Sequence, residues 1–170
     1  MKKYNKRIGL DRLKYLLNYN SITGIFTWNN SPNIAIKHGR VAGTFNVGGY
    51  INIQLDGHMY RAHRLAWLHF YGRWPKHDLD HRDTVRRNNW ISNLREATRS
   101  QNCINQRMRK DNTSGYKGVS KIRGRYQAVV TLNKKRVFAK TFKTKEEAYA
   151  AYCKKAKEFY GEFANLGDKK

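Results

Sequence analysis

Leu10, Leu13, Leu16 and Leu17 recur at three- and four-residue intervals, the spacing of one helix face, and Asp11 places a negative charge near the start. A short first helix is predicted there. Ile25-Phe26-Thr27-Trp28 follows Thr23-Gly24 and reads as a strand, while the polar run from Asn29 to Lys37, with Pro32, reads as a loop. Tyr50, Ile51, Ile53 and Leu55 lead into Asp56-Gly57, a favoured two-residue hairpin turn, from which His58-Met59-Tyr60 returns. From His63 to Tyr71 helical spacing resumes through Leu65 and Leu68, with Trp67 or Phe70 on the same face, and Gly72 and Pro75 supply the stop.

Apolar residues thin out between Leu79 and Leu94. That stretch is expected to be an irregular ribbon starting at Asp80-His81 and held by side-chain hydrogen bonds, since the amides of Asn88, Asn89 and Asn93 can both donate and accept. Thr98 and Gln101 fit a capping box, which predicts a helix from there to about Met108 with Asn102 in its first turns. Residues 109–114 are polar and aperiodic, as in a linker. Beyond them Tyr126, Ala128, Val130 and Leu132 alternate with Arg125, Gln127, Val129 and Thr131, the signature of a strand with one buried face. Gly118 to Ile122 and Arg136 to Phe142 read as its antiparallel neighbours. Thr144 can cap a last helix whose stripe of Ala148, Ala151, Tyr152, Ala156 and Phe159 covers one face of the sheet.

Charge changes the picture from fold to partner. Lys and Arg number 35 against 12 Asp and Glu, a formal net charge of +23 spread over both halves of the chain, so a polyanion is the default partner. Among the few acids, Asp78, Asp80, Asp83 and Glu96 cluster, and an acidic island in a basic chain suggests cation binding. Cys103 and Cys153 lie far apart, which indicates neither a disulfide framework nor a cysteine zinc site. No apolar run is long enough for a membrane span and the amino terminus lacks a signal-peptide core, so a cytoplasmic protein with no membrane role is expected.

The chemistry concentrates at Asp80-His81. A carboxylate offers oxygen to a hard cation, Asn102 can add a neutral oxygen, and His81 is left to deprotonate water, which together suit phosphodiester hydrolysis. Asn93 can hold the His81 ring in the required tautomer. His63 reads as structural, and His38, His58, His69 and His77 as surface or packing residues.

Ala62-His63-Arg64-Leu65-Ala66-Trp67, Asp80-His81-Arg82-Asp83, Asn88-Asn89, Asn93-Leu94-Arg95 and Ala97-Thr98 through Asn102 together resemble the His-Asn-His endonucleases of phages and their intron homing nickases. The resemblance covers roughly residues 50–108 and implies a ββα-metal fold with one divalent cation, Mg²⁺ or alternatively Mn²⁺. By position it makes Asp80 and Asn102 the metal ligands, His81 the general base and Asn93 the residue that positions it. Thr84 stands where related sequences usually carry Gly.

Residues 115–167 resemble the Apetala-2 (ethylene-response-factor) type of DNA-binding domain. The match lies in Tyr116-Lys117-Gly118-Val119, Gly124-Arg125-Tyr126, Arg136-Val137-Phe138, Thr141-Phe142, Glu147-Ala148, Ala151-Tyr152, Gly161 and Ala164-Asn165. Such a domain lays its sheet in the major groove of DNA. Strand alternation turns Arg125, Gln127 and Thr131 outward, and the resemblance adds Lys117, Arg136 and Phe138, with Lys121, Arg123, Lys134 and Lys135 in reach of phosphates or bases.

The expected organisation is an α+β chain. Residues 1–60 form a helix-and-hairpin platform, 61–108 the nuclease core, 109–114 a linker, and 115–167 a three-stranded antiparallel sheet packed on one helix. The expected function is a metal-dependent, site-specific endonuclease acting on double-stranded DNA as a monomer or homodimer, with no other protein partner evident. Its rivals are a DNA-binding regulator with a vestigial nuclease fold and an RNA-directed protein.

Overall fold

The computed structural model describes residues 7–167. They divide into two compact units with the boundary between Glu96 and Ala97. No helix among the described residues is long and apolar enough to cross a membrane.

The first unit opens with α1, Leu10–Leu16, which buries Leu13 and Leu16. Leu17 does not extend this helix as its spacing suggests. Its backbone turns extended and begins β1, Leu17–Tyr19, which pairs antiparallel with β2, Phe26–Trp28, so Leu17 reaches the same core from a strand. An antiparallel sheet follows from β3, Thr44–Phe45, β4, Ile51–Leu55, and β5, His58–Arg61. Asp56 and Gly57 both take positive φ between β4 and β5, as a tight hairpin turn of this kind requires.

Helix α2, Ala62–Tyr71, springs directly from β5 and ends at Gly72 in the left-handed conformation. It buries Ala62, His63, Leu65, Ala66, Trp67 and Leu68, a wider surface than an amphipathic stripe, while Phe70 stays exposed. With α1, β1, β2, β4, Leu79 and Leu94 it forms one continuous core. Each fully buried leucine of this core contributes about 1.5–3 kcal/mol of transfer free energy.

Two short strands carry the rest: β6, Asp78–His81, pairs with β7, Leu94–Ala97. Asp80 and His81 therefore sit on a strand, and the irregular ribbon runs only between the two strands. The ribbon lies against the β1–β2 turn at Gly24. A Cβ there would stand 2.3 Å from the Trp90 nitrogen and 2.4 Å from the Asn89 carbonyl carbon, and φ is +74°.

The second unit starts with α3, Arg99–Ile104, whose capping box joins Thr98 and Gln101 as expected. It stops well short of Met108. Asn105, beyond its end, is buried and its carbonyl accepts from the Asn165 side chain at 2.8 Å. The polar stretch 109–114 is partly built into this unit: buried Ser114 donates to the Val119 carbonyl at 2.8 Å, and the Gly115 amide donates to Asn112 at 2.8 Å.

Strands β8, Val119–Ile122, β9, Arg125–Leu132, and β10, Lys135–Phe142, form an antiparallel sheet in the order β10-β9-β8. Helix α4, Lys145–Tyr160, packs on it through Ala148, Tyr152 and Ala156 against Val119, Ala128 and Val130. Small residues on the helix let it lie close to the sheet.

Gly24→Ala should destabilise the first unit by roughly 2–3 kcal/mol, because both the backbone conformation and the space are lost. Urea denaturation reads the effect. A change under about 0.5 kcal/mol would mean that the ribbon is not braced by this turn.

Candidate active site

Leu79, Asp80 and His81 are all less than a tenth exposed, so β6 is covered on both faces. A buried carboxylate needs a charged partner, and β7 supplies one. Asp80 Oδ2 accepts from Arg95 Nε at 2.9 Å and from Nη2 at 2.8 Å, with both side chains out of solvent. Two donors on one oxygen fix how the carboxylate is turned.

His81 is held by Asn89, whose Oδ1 lies 3.1 Å from His81 Nε2. With an amide oxygen as acceptor, Nε2 carries the proton and the basic lone pair falls on Nδ1. Burial lowers the His81 pKa from the ordinary histidine value and prevails over the Asn89 bond and the charges of Asp83 and Asp80, which pull upward; Arg86 adds to the lowering. The imidazole is therefore neutral, and basic, near neutral pH.

His63 meets this ring edge-on with centroids 5.2 Å apart, and the Tyr50 ring lies 5.3 Å from His63 and 6.2 Å from His81. Burial first, then nearby positive charge, pushes His63 down to about 3, so it stays neutral as a wall of the site. His63 Nδ1 and Asn89 Nδ2 are buried without a hydrogen-bond partner among the described residues. The surroundings of His81 thus keep polar capacity for water or a phosphate oxygen.

Asn93, read from sequence as the residue that positions His81, closes the ribbon. Its side chain accepts from the Asp83 amide at 3.0 Å and donates to Asp83 Oδ1 at 3.0 Å and to the Asn88 carbonyl at 2.7 Å. Asn88 in turn donates to Asp83 Oδ2 at 2.6 Å. Burial opposes ionisation of Asp83, but these donors and the Val85 amide bring its pKa below the ordinary carboxylate value. Thr84 holds φ +62°, a conformation costly for a β-branched residue and open to glycine.

The first unit thus carries Asp80, His81 and Asn93, but the Asn93 side chain bonds Asp83 and Asn88, and Asn89 takes its place at His81. Asn102 belongs to the second unit, half-buried on α3 with its amide bonded to the Thr98 carbonyl at 2.9 Å. Among the described residues no group of three or more His, Cys, Asp or Glu side chains is arranged to hold a metal ion. What the first unit offers a cation here is carboxylate oxygen, from the fixed Asp80 side chain. That donor set suits a hard ion that keeps water and phosphate oxygens as its other ligands.

Sequence reasoning missed Arg95 and Asn89 as members of this site. Both lay inside quoted motifs, Arg95 directly after Asn93-Leu94 and Asn89 beside Asn88. Spacing alone does not say which amide faces the imidazole.

In the second unit, cross-strand register places Arg125, Gln127, Thr131 and Arg136 on the sheet face turned away from α4. Arg123, Lys134 and Lys135 sit exposed at the turns. Two residues expected with them lie elsewhere. A bulge between Arg136 and Phe138 shifts the alternation, so Phe138 pairs with Val130 and packs against the core under α4. Lys117 donates to the carbonyls of Ile104 at 2.9 Å and Gln106 at 2.6 Å, capping the end of α3, and burial lowers its pKa to about 8. Lys121 pairs with Tyr126 on the helix-side row but remains exposed.

Residues 60–103 match the family described as HNH endonuclease. An uncharacterized HNH endonuclease of Acanthamoeba polyphaga mimivirus is 41% identical over 87 residues, which cover 51% of this chain. The chain spans 44% of that relative's length. No solved structure matches.

Arg95→Met leaves the Asp80 carboxylate buried without its guanidinium and should cost about 3–5 kcal/mol of stability at neutral pH. Chemical denaturation measures it, and the Asp80→Asn, Arg95→Met double variant should recover part of the loss. A single-variant loss below about 1 kcal/mol would show that the pair is not sealed from water.

Proposed function

We propose that this chain is a divalent-metal-dependent DNA endonuclease of the homing type found in phages, hydrolysing phosphodiester bonds at selected sites. The observation that carries the reading is the buried, orientation-locked carboxylate of Asp80 beside an imidazole, His81, that burial keeps neutral. The match of residues 60–103 to HNH endonucleases supports DNA as the substrate.

Each residue then has a task. His81 accepts a proton from the attacking water, which an imidazole does well near neutral pH. Asn89 fixes its tautomer, and Asn93 keeps the ribbon closed so that Asn89 stays opposite His81. Asp80 and Asn102 are the proposed ligands of one Mg²⁺, with Mn²⁺ as the alternative, and Arg95 prevents the carboxylate from rotating away. When bound, the ion stabilises negative charge on the leaving oxygen. His63 and Tyr50 restrict water around the imidazole.

Selection of the target falls to the second unit, which we read as an Apetala-2-like module with its open sheet face toward the major groove of double-stranded DNA. Arg125, Arg136 and Gln127 are the base-reading candidates, because guanidinium and amide groups pair bidentately with guanine and adenine. Thr131 lies in the same face, and Arg123, Lys121, Lys134 and Lys135 reach backbone phosphates.

One observation favours a second reading. Arg95 neutralises Asp80, which weakens the attraction for a cation, as expected of a DNA-binding regulator with a vestigial site.

Incubation with supercoiled plasmid and Mg²⁺ decides between them. The nuclease reading expects nicked or linear product that chelation abolishes, and a His81→Ala rate lower by about 10²–10⁴-fold with the fold intact by circular dichroism. Tight binding without cleavage in Mg²⁺ or Mn²⁺ would support the regulator. For target selection, Arg125→Ala and Gln127→Ala should each remove about 1–3 kcal/mol of discrimination at one base pair. Competition binding against single-base variants of the selected site checks this, and unchanged preferences in both variants would place sequence reading elsewhere.

A further inference from the structure

Arg61, the last residue of β5, and Arg86, in the ribbon after His81, converge on one aromatic ring. The guanidinium carbons lie 4.8 and 5.0 Å from the Tyr50 ring centroid, so they are less than 10 Å apart. Each is also anchored by a neutral acceptor. Arg61 Nη1 donates to Asn52 Oδ1 at 2.9 Å and Arg86 Nη1 to the Gly48 carbonyl at 2.9 Å. Tyr50 is itself fixed, with its amide donating to Asn46 Oδ1 at 3.0 Å and its carbonyl accepting from the Asn46 amide at 2.9 Å.

Three other arginines of the first unit meet carboxylates: Arg12 pairs with Asp56, Arg73 with Glu96 and Arg95 with Asp80. Among the described residues, Arg61 and Arg86 pair with none. Two cations held within 10 Å of each other around a shared ring repel each other, and the cation–π and anchoring bonds oppose their escape into solvent. Such an arrangement is stabilised by an anion between or beside them. Its place is telling, because Tyr50 is 6.2 Å from His81, and the charge of Arg86 acts on His81 while that of Arg61 acts on His63.

We propose that Arg61 and Arg86, held against Tyr50, form a guanidinium clamp that grips the phosphodiester backbone of DNA beside His81. This rests on the nuclease reading for its purpose, but not for its test. The planar fork of arginine matches phosphate oxygens bidentately, and stacking on Tyr50 orients it before DNA arrives. The clamp brings the backbone to the imidazole independently of any base contact made by the sheet.

The test uses the full chain and a fluorescent DNA duplex, with metal chelated so that no cleavage occurs. Affinity is measured over a salt series for wild type, Arg61→Ala, Arg86→Ala, the double variant, and Arg73→Ala as a control from the same unit. Each clamp arginine removed should lower the slope of log affinity against log salt by about 1, the double variant by about 2, while the control leaves it unchanged. Arg61→Lys and Arg86→Lys should restore the slope, because they keep the charge. Slopes of the alanine variants equal to wild type, with thermal melting unchanged, would overturn the clamp even if plasmid is cut. A lowered slope in a protein that never cuts plasmid would uphold the clamp and reject the nuclease.

Discussion

A carboxylate sealed inside a protein requires a fixed positive partner, and for Asp80 that partner is Arg95 on the neighbouring strand. Much of the site's geometry depends on this pair. It fixes a charge from β6 opposite one from β7, so the ribbon between the strands must leave and return at fixed points. It also stops the carboxylate from turning, while His81, one residue along, is held by the neutral amide of Asn89. The net charge of +23 makes the placement more telling, since few acids are available and one has been put out of solvent.

The ribbon solves a different problem. With little apolar surface of its own, it is closed by amides: Asn93 ties Asp83 to Asn88, and Asn89 turns inward to His81. Hydrogen bonds of this kind are each worth only about 1 kcal/mol net, so the ribbon relies on the core beneath it. Contact at Gly24 and the Tyr19 hydroxyl, which donates to the Asn89 carbonyl at 2.7 Å, transmit that support. Packing of α1, α2 and the hairpin thus reaches the imidazole through one turn and one tyrosine.

Local patterns were legible in the sequence. Asp56-Gly57 announces its hairpin, Thr98 with Gln101 and Thr144 announce their helices, and the alternation through Tyr126, Ala128 and Val130 identifies the covered face of the sheet. What was not legible depends on partners distant in sequence. Leu17 serves the core equally well from a helix or a strand, so its spacing misleads. Asn88, Asn89 and Asn93 are chemically equivalent until the path of the ribbon chooses Asn89 for His81. The bulge at Val137 turns Phe138 inward without any break in composition, and Lys117, placed with the DNA-facing residues by the resemblance, caps the carbonyl end of α3.

The proposed function requires above all that a divalent cation and a neutral imidazole share one place in this chain. Paramagnetic broadening in nitrogen-15 histidine-labelled protein tests it most directly, with Mn²⁺ added below stoichiometry. Ring signals of His81 and His63 should broaden before those of His38, His58 and His77, and Asp80→Ala should remove the difference. Broadening that spares His81, or that persists unchanged in Asp80→Ala, would contradict the account.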